Sequence, residues 1–448
     1  MKSLLTISIA IIYYATAGAA ALTGAWRGEL KMGPMSLPLV FNFNSDSEGK
    51  PQYTLDSPQQ NVTDLPLAVD FISTDSLSLS SSKIGASFNG KITDQKIIGN
   101  FIQRGMTFPI SLSPLEPLSV RRPQTPMPPF PYQTIDTTFT SSDGTVLAGT
   151  FTIPDVHEAK MPVVVMVTGN GPQNRDEEIF EHKPFAVIAD FLARHGIASL
   201  RYDDRGTGMS AGNFNTSTIF TFKDDAAAAL QLAKGLEGAD KTGLLGHSEG
   251  GTIAMMLAAE SQPDFIISLA GMAISGKETI LDQNKLLMNR LGMSASEIES
   301  SMKVIDAAFD EIITQARENR NATIDIDKIS AELGVTVPPM VMQSIKMNMQ
   351  KRIPSFDTLL SINPQTDFPK ISCKVLALNG TLDTQVDTEK NLTAIKHGIK
   401  NAEIHKLEGL NHLLQQAVTG YSDEYANIKE TISPTALTII ADFIFNLK

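Results

Sequence analysis

The sequence has little cysteine, little tryptophan and no surplus of positive charge. Its 448 residues include a single cysteine, Cys373, so no disulfide bond can form within the chain. Cys373 falls in an apolar segment, where we interpret it as a small packing residue without a catalytic role. Acidic residues outnumber basic ones and give a formal net charge of −12. Nucleic acids and anionic membranes bind clustered lysine and arginine, so neither is expected as the main partner.

Metal and nucleotide motifs are missing as well. There is no His-Glu-x-x-His motif and no cluster of cysteine and histidine with the spacing of a zinc site. The nearest approach to a phosphate-binding loop, at residues 169–171, lacks the Lys-Ser/Thr ending. No internal apolar run approaches the roughly 20 residues that a membrane-spanning helix needs. We therefore expect no metal, no cofactor and no membrane span.

Residues 1–21 have the order of features that marks a secretory signal peptide. Lys2 precedes an apolar run at residues 4–14, and small residues follow it. Cleavage after Ala19 and cleavage after Ala21 fit this pattern equally well. A buried strand or a membrane anchor is the alternative, but the run is too short to span a bilayer well. The sequence thus predicts export, to the periplasm or as a secreted protein.

A chain of this length is too long for a single hydrophobic core, so two or three folding units are expected. Residues 22–118 predict a small all-β domain, a barrel or a sandwich, because apolar side chains alternate with polar or smaller ones, as at Leu37, Leu39, Phe41 and Phe43. Predicted turns fall at residues 46–50, at Asn89-Gly90 and at 93–94. We interpret this domain as a stabilising accessory, with ligand holding or docking as the alternative.

Residues 119–133 contain prolines at positions 123, 126, 128, 129 and 131 and predict a stiff, extended linker. In residues 134–448, strands and helices alternate. A hairpin is predicted at residues 134–140 and 146–153, and continuous apolar runs such as 162–167 follow it. Strands without alternation are covered on both faces, so this region predicts an α/β domain with a parallel sheet between helices.

Residues 273–366 lack strand signals and predict a helical cap inserted into the sheet domain. Apolar residues recur there at spacings of three and four, as one face of a helix requires: Met302, Ile305, Phe309 and Ile312. Met340 and Met342 are candidates for lining a substrate pocket, because methionine side chains fill irregular apolar gaps. The alternative, that these methionines are ordinary helix-packing residues, has equal support.

The segment Gly246-His247-Ser248-Glu249-Gly250 carries the clearest chemical signal. It follows an apolar strand and precedes a helix of small residues, which is the context of a nucleophile elbow with the pattern Gly-x-Ser-x-Gly. The glycines leave room for a sharp turn that exposes the serine, and the helix N-terminus favours developing negative charge. Ser248 is therefore the predicted nucleophile.

A serine hydroxyl needs a base that removes its proton, and after such an elbow the acid and the histidine follow in that order. Asp383 stands in a turn after one apolar strand, and His412 stands in a loop after the next strand. We predict His412 as the base and Asp383 as the acid that fixes its tautomer. His405 is the competing histidine, although it falls within a strand, and Asp387 is the reserve acid.

Acyl transfer also needs N–H donors for an oxyanion. One is predicted to be the backbone N–H of Glu249. The other is expected in a glycine-rich loop, with Asn170 as the first choice and Gly171 as the second. A plain glycine-rich turn is the alternative.

Two charged clusters, residues 175–178 and 201–206, are interpreted as structural ion pairs that brace loops. The alternative for these clusters is a site for a charged substrate group.

Five segments together resemble the α/β-hydrolase superfamily: Thr-Gly-Asn-Gly-Pro-Gln-Asn-Arg-Asp at 168–176, Arg-Tyr-Asp-Asp-Arg-Gly-Thr-Gly-Met-Ser at 201–210, Gly-His-Ser-Glu-Gly at 246–250, Gly-Thr-Leu-Asp at 380–383 and Asn-His at 411–412. In particular they are similar to bacterial exported serine esterases with a β-rich N-terminal domain, which have acyl-peptidase-like and cinnamoyl-esterase-like relatives. The resemblance covers residues 134–448. It implies the α/β-hydrolase fold, a mostly parallel eight-stranded sheet, with a triad of Ser248, Asp383 and His412. Many relatives begin the oxyanion loop with His-Gly, whereas Thr168 stands here, so the anchoring of this loop is expected to differ.

The leading functional hypothesis is a serine carboxylesterase that forms an acyl-enzyme at Ser248 and hydrolyses small-molecule acyl esters. An acylaminoacyl-type peptidase, a thioesterase or an acyltransferase would use the same triad and is the alternative. A non-catalytic binding protein is a remote alternative, since a binder has no use for a strained serine beside a positioned histidine. The sequence specifies neither the acyl chain nor the oligomeric state.

Overall fold

The computed structural model describes residues 22–32, 35–46, 50–60, 62–93, 95–116, 121–155, 160–318 and 322–447. The predicted signal peptide, residues 1–21, lies outside the described residues. The chain divides into two compact units, Met1–Pro117 and Leu118–Lys448. Each unit contains hydrophobic clusters of its own, so each has an independent core.

The first unit is a closed barrel of eight antiparallel strands. Consecutive strands pair with each other, and the first strand also pairs with the last, so that the sheet closes without a free edge. The strands are β1 (Gly24–Met32), β2 (Met35–Ser45), β3 (Pro51–Ser57), β4 (Val62–Ile72), β5 (Ser76–Ser81), β6 (Ala86–Ile92), β7 (Ile97–Gln103) and β8 (Met106–Pro114).

In most of these strands, alternate side chains are buried inside the barrel, whereas β4 has no fully buried residue. Phe41, Leu79, Phe88 and Leu112 are almost fully buried and belong to one hydrophobic cluster. In a small barrel such side chains fill the interior. The all-β domain predicted from the alternating pattern is confirmed, and its architecture is the barrel.

The predicted turn at Asn89-Gly90 is wrong, because both residues lie inside β6. Gly90 pairs with Gly99 of the neighbouring strand β7. A Cβ atom at Gly90 would lie 2.7 Å from Ile97 and 2.8 Å from Phe88. The glycine therefore makes room for core side chains and does not form a turn.

The second unit is built on an eight-stranded sheet with the order β16-β15-β14-β13-β11-β12-β10-β9. The strands from β16 to β12 run parallel, and β10 is antiparallel to both β12 and β9. This arrangement confirms the predicted, mostly parallel sheet. The strands are β9 (Tyr132–Thr140), β10 (Val146–Pro154), β11 (Met161–Val167), β12 (Ala198–Tyr202), β13 (Ala239–His247), β14 (Phe265–Leu269), β15 (Lys374–Gly380) and β16 (Ala402–Leu407).

Helices cover both faces of this sheet. The described helices are α1 (Pro184–Arg194), α2 (Ile219–Lys234), α3 (Glu249–Ala259), α4 (Gly276–Arg290), α5 (Ala295–Arg317), α6 (Ile326–Glu332), α7 (Pro339–Gln350), α8 (Pro354–Ser361), α9 (Thr388–Gly398) and α10 (Pro434–Phe445). Val163 and Val165 of β11 join a cluster with α2, α3 and α9, whereas Val164 and Met166 join a cluster with α1 and α10. Burial on both faces is the reason for the continuous apolar run in β11.

The five helices α4 to α8 lie between β14 and β15 and form the inserted helical cap. The cap has a hydrophobic cluster of its own, which contains Val304, Ile305, Phe309 and Ile312 of α5. Met342 of α7 packs against this cluster, whereas Met340 is 86% exposed. These positions favour the packing alternative for Met342 and give no support to a pocket role for Met340. Within the described ranges, no helix combines the length and the apolar character needed to cross a membrane.

The proline-rich segment predicted as a linker is, in its described part, packed onto the second unit. Arg122 is 2% exposed and donates hydrogen bonds to the carbonyl oxygens of Phe180 and Ala426 at 2.7 and 2.8 Å. Gln124 Nε2 donates to the carbonyl oxygen of Ile432 at 2.8 Å. The prolines stiffen this segment, and the two polar side chains fix it along the surface of the α/β unit.

Candidate active site

Ser248 lies at the sharp turn between β13 and α3. Its backbone angles are φ 51° and ψ −117°, a region that side-chain-bearing residues rarely adopt. The Ser248 N–H donates to the carbonyl oxygen of Leu269 at 2.9 Å, and its own carbonyl accepts from the Gly251 N–H at 3.0 Å. These bonds, together with the flanking strand and helix, hold the serine in the strained conformation that the elbow motif predicts.

The two glycines of the elbow are sterically required. A Cβ atom at Gly246 would collide with the carbonyl group of Gly250. A Cβ atom at Gly250 would collide with the carbonyl oxygen of Val167 in the neighbouring strand β11. The turn is therefore closed on both sides by backbone atoms that cannot move aside.

The structure brings Asp383 and His412 together. Asp383 follows β15, His412 follows β16, and the distance from His412 Nδ1 to Asp383 Oδ2 is 2.8 Å. The other carboxylate oxygen, Oδ1, accepts the backbone N–H groups of Gln385 and Val386 at 2.7 and 2.9 Å. The side chain of His412 is 4% exposed and that of Asp383 is 0% exposed. These bonds hold the carboxylate in place. The carboxylate accepts the proton on Nδ1 of the ring, so Nε2 is the ring nitrogen that remains to accept another proton.

The loop that carries His412 lies against the residue that precedes Ser248. The ring centroids of His247 and His412 are 4.8 Å apart, and His247 Nε2 is 3.0 Å from the carbonyl oxygen of His412. In the part of the chain that the structure describes, no hydrogen bond joins the Ser248 hydroxyl to the ring of His412. Such bonds are often longer in unliganded sites and tighten when substrate binds.

The two reserve candidates have other partners. His405 lies in β16, and its Nε2 is 2.7 Å from Glu403 Oε1 on the same strand. Asp387 is the N-cap of α9, where its Oδ1 accepts the backbone N–H of Lys390 at 2.8 Å. The strand assignment of His405 is confirmed, and Asp387 is occupied as a helix cap.

The predicted oxyanion donors lie on either side of the serine. Glu249 begins α3, and residues 168–173, which we call the oxyanion loop, follow β11. A Cβ atom at Gly169 would lie 3.3 Å from the Cβ of Ser248, so the loop passes directly beside the nucleophile. Among the described residues, the N–H groups of Glu249, Asn170 and Gly171 donate to no protein acceptor.

Asp204 anchors both ends of the oxyanion loop. Thr168 Oγ1 donates to Asp204 Oδ1 at 2.7 Å, and the Gln173 N–H donates to Asp204 Oδ2 at 2.9 Å. Burial raises the pKa of Asp204 well above its usual range, and the negative charges of Glu177 and Glu249 add to the rise. Thr168 therefore has an anchoring role through its hydroxyl group.

Two further buried carboxyl groups hold the middle of the loop. Glu177 Oε1 accepts the Gly169 N–H at 2.7 Å, and Glu249 Oε2 accepts the side-chain amide of Asn170 at 2.9 Å. Burial raises the pKa of Glu249 to about 7, although the bond from Asn170 lowers it in part. The oxyanion loop is thus fixed by three acidic side chains from three different segments.

His247 is the residue that reasoning from the sequence missed. Its Nδ1 lies 2.9 Å from Glu177 Oε1, and its Nε2 faces the carbonyl oxygen of His412. Burial lowers the pKa of the His247 imidazole, but the charge and hydrogen bond of Glu177 raise it more, so the pKa is above its ordinary value. In the sequence His247 was only the neighbour of the nucleophile, and Glu177 belonged to a cluster interpreted as loop bracing.

The remaining charged residues of the two predicted clusters form structural ion pairs. The arginines pair with aspartates of neighbouring loops and helices: Arg175 with Asp203, Arg201 with Asp176, and Arg205 with Asp225. These pairs brace the loops at the ends of β11 and β12, as the sequence predicts. Across the described ranges, no group of three or more His, Cys, Asp and Glu side chains is arranged to hold a metal ion.

These features define the class of protein. A serine on a strained strand–helix turn at the centre of a mostly parallel sheet, with an aspartate and a histidine after later strands, is the arrangement of the α/β-hydrolase fold. A sequence model of the X-Pro dipeptidyl-peptidase (S15) family matches residues 143–409, which is more than half of the chain. The chain belongs to the X-Pro dipeptidyl-peptidase (S15) family.

Individual relatives match shorter parts of the chain. The chain is 33% identical to Esterase EstD of Thermotoga maritima over 171 residues. This matched stretch is 38% of this chain and 40% of that protein. Over 122 residues the chain is 28% identical to an acyl transferase of Photobacterium leiognathi, which covers 27% of this chain and 37% of that protein. The chain thus spans about two fifths of the length of these curated relatives.

Solved structures with a similar fold have low sequence identity to this chain. Est1E from Butyrivibrio proteoclasticus, solved with ferulic acid bound, is 18% identical with a TM-score of 0.43, covering 69% of this chain and 99% of that chain. The esterase Pf2001 of Pyrococcus furiosus is 17% identical with a TM-score of 0.41, covering 62% of this chain and 82% of that chain.

Proposed function

We propose that the protein is a serine esterase that hydrolyses carboxylic acyl esters through an acyl-enzyme on Ser248. One observation supports this most: Asp383 fixes the ring of His412 at 2.8 Å, on a loop that contacts the residue before the strained serine. A buried Asp–His pair beside a nucleophile elbow has a specific use in acyl transfer. The name of the relative Esterase EstD supports an ester as the substrate.

In this mechanism His412 Nε2 removes the hydroxyl proton of Ser248 while the serine oxygen attacks the ester carbonyl carbon. The oxyanion accepts hydrogen bonds from the N–H of Glu249 and from an N–H of the oxyanion loop. The intermediate then breaks its bond to the alcohol oxygen, which takes the proton from His412. Asp383 keeps the ring oriented and stabilises the imidazolium. Water, deprotonated by His412, attacks the acyl-enzyme, releases the carboxylic acid and restores Ser248.

A peptidase that cleaves X-Pro peptides is the second candidate, because the family match favours it. Cleavage of a peptide would use the same triad and would also need a group that binds the amino terminus of the substrate. The three carboxyl groups beside the nucleophile, Asp204, Glu177 and Glu249, are all hydrogen-bonded to the oxyanion loop. All three are engaged in fixing this loop, which favours the esterase as the first proposal.

Replacing the nucleophile tests the catalytic assignment. We expect Ser248→Ala to lower kcat for p-nitrophenyl butyrate by at least about 10³-fold, because no other hydroxyl lies at the elbow. Ser300→Ala, on cap helix α5, serves as the matched control and should retain full activity. Thermal unfolding of both variants checks that the fold is intact. A Ser248→Ala enzyme that turns over the ester at the wild-type rate would refute the assignment.

A substrate panel separates the two candidate functions. We expect kcat/KM for short p-nitrophenyl esters to exceed that for Xaa-Pro-p-nitroanilides by several orders of magnitude. Both substrates release the same type of chromophoric aromatic group, so one instrument reads both reactions. A preference for the Xaa-Pro anilide, abolished by Ser248→Ala, would replace the esterase by the peptidase.

A further inference from the structure

Both ring nitrogens of His247 face hydrogen-bond acceptors. Nδ1 is 2.9 Å from Glu177 Oε1, and Nε2 is 3.0 Å from the carbonyl oxygen of His412. A carbonyl oxygen only accepts, and Glu177 Oε1 already accepts the N–H of Gly169 at 2.7 Å. Nε2 therefore carries a proton, and a second proton on Nδ1 would make His247 an imidazolium paired with the buried carboxylate of Glu177.

The surroundings of His247 favour the charged form of the ring. Burial lowers the pKa of its imidazole, but Glu177, the carbonyl of His412 and the charge of Asp383 together raise it above the ordinary value. These groups come from the loops after β11, β15 and β16, and the ring of His412 itself packs against His247. Glu177 and His247 are both buried, so solvent does not screen the pair.

We propose that the His247–Glu177 ion pair is a positioning device for the esterase reaction, which fixes the oxyanion loop and the loop of His412 to one point of the nucleophile strand. This inference rests on the proposed function. Gly169 adjoins the N–H donor of Asn170 and is held by Glu177, while the backbone of His412 is held by His247 Nε2. His247 is covalently joined to Ser248. The loops that carry the base and the oxyanion donors are therefore held at a fixed position relative to the nucleophile.

Two amide variants separate the two bonds of the ring. The amide nitrogen of asparagine reaches about the place of the histidine Nδ1, so His247→Asn keeps a donor for Glu177 and loses the donor for His412. The amide nitrogen of glutamine reaches about the place of Nε2, so His247→Gln keeps the donor for His412 and loses the donor for Glu177. Each variant therefore releases one loop and retains the other.

We expect each variant to lower kcat for p-nitrophenyl acetate by about 10- to 100-fold with a KM within about 3-fold, because a small displacement of reacting groups has effects of this size. Rates are expressed per active site titrated with a fluorophosphonate, so that loss of folded enzyme does not count as loss of kcat. His195→Asn and His195→Gln, on an exposed histidine that ends α1, are matched controls and should keep the wild-type kcat.

A neutral partner tests the charge. Glu177→Gln retains an oxygen that can accept from Gly169 but removes the negative charge. Burial is then opposed only by the carbonyl of His412 and the charge of Asp383, so the pKa of His247 falls. As the pH rises, the ring then loses one of its two protons, and with it the bond to residue 177 or the bond to the carbonyl of His412. We expect kcat of Glu177→Gln to fall between pH 6 and pH 9 relative to wild type, whereas an ion pair that only stabilises the fold would change Tm and leave this profile unchanged.

The outcomes distinguish the inference from the proposed function. If wild type hydrolyses the ester, Ser248→Ala does not, and all three variants keep the wild-type kcat per titrated site, the positioning role is overturned and the esterase stands. If wild type hydrolyses no ester, or Ser248→Ala retains the activity, the proposed function itself fails. Lowered kcat in the His247 variants together with the altered pH profile of Glu177→Gln supports the positioning role.

Discussion

Glu249 places a carboxyl group directly behind the nucleophile, where water does not reach it. The side chain is 2% exposed, and burial raises its pKa from about 4.5 to about 7. Between these two pH values the unfolded chain loses the proton while the folded protein keeps it. The free energy of unfolding therefore falls as the pH rises through this window, by an amount on the order of 3 kcal/mol that is complete above pH 7.

Removing this ionisation should stabilise the protein only at higher pH. Glu249→Gln keeps an oxygen that accepts the side-chain amide of Asn170 and has no charge to bury. We expect it to raise Tm by roughly 3 °C or more at pH 8 and to change Tm little at pH 5. Thermal unfolding at the two pH values measures the difference. Glu260→Gln, at the exposed end of the same helix, is the control, and an equal effect of Glu249→Gln at both pH values would contradict the expectation.

The sequence predicted the meeting of Asp383 and His412 but not the role of the side chains around them. The order of serine, aspartate and histidine after successive strands brings loops to one edge of a parallel sheet, and the structure places the two side chains 2.8 Å apart. His247 and Glu177 are 70 positions apart and belong to no motif of their own. Their pairing depends on which side chains are buried together, and a local pattern does not contain that information.

At the scale of helices and strands, the cap depends on a close approach between two of its helices. Gly276, the first residue of α4, lies where a Cβ atom would collide with the carbonyl oxygen of Leu359 in α8. The colliding group is backbone, so it cannot rotate out of the way as a flexible side chain would. The glycine at this position therefore allows α4 and α8 to pack against each other.

Adding one methyl group at this contact should destabilise the cap. We expect Gly276→Ala to lower the free energy of unfolding by about 1–3 kcal/mol, because the two helices must move apart. Gly235→Ala is the matched control, since the nearest atom to its new Cβ would be the Leu232 carbonyl oxygen at 3.4 Å, an ordinary contact. Urea denaturation of both variants gives the comparison. Equal stability of the two variants would show that α4 and α8 adjust without cost.

Patterns of hydrophobicity predicted most helices and strands, because burial on one face or on both faces of an element determines which of its positions are apolar. The run at β11 is apolar at successive positions because Val163 and Val164 face different helical layers. The prediction failed at Asn89-Gly90, a pair that commonly forms hairpin turns. Here the strand continues because the missing side chain of Gly90 lets Phe88 and Ile97 fill the barrel. The preference of this residue pair for a turn is outweighed by the packing of side chains inside the closed barrel.

At the scale of the whole molecule, every residue of the candidate site belongs to the second unit. Ser248, Asp383, His412 and the oxyanion loop all lie within Leu118–Lys448, and the sheet clusters that support them contain no residue of the barrel. The barrel in turn has its own filled core. The residues proposed to carry out the reaction therefore all come from the second unit.

A chain that begins at residue 118 should consequently keep the proposed esterase activity. We expect its kcat/KM for p-nitrophenyl acetate to lie within about 3-fold of the full-length value, because the triad and its supporting carboxyl groups are unchanged. A chain that begins at residue 134 is the informative comparison, since it also removes Arg122. That side chain donates to the carbonyl oxygens of Phe180 and Ala426, which are left without this donor in the shorter chain.

The shorter chain should unfold at a lower temperature than the chain that begins at 118, and its activity should decline with its folded fraction. Melting curves and active-site titration of the two truncated chains measure both quantities under identical conditions. If the chain from 118 folds but hydrolyses no ester while the full-length protein does, the barrel contributes directly to catalysis. If the two truncated chains are equally stable, the proline-rich segment is a spacer and the bonds of Arg122 add nothing to the stability of the α/β unit.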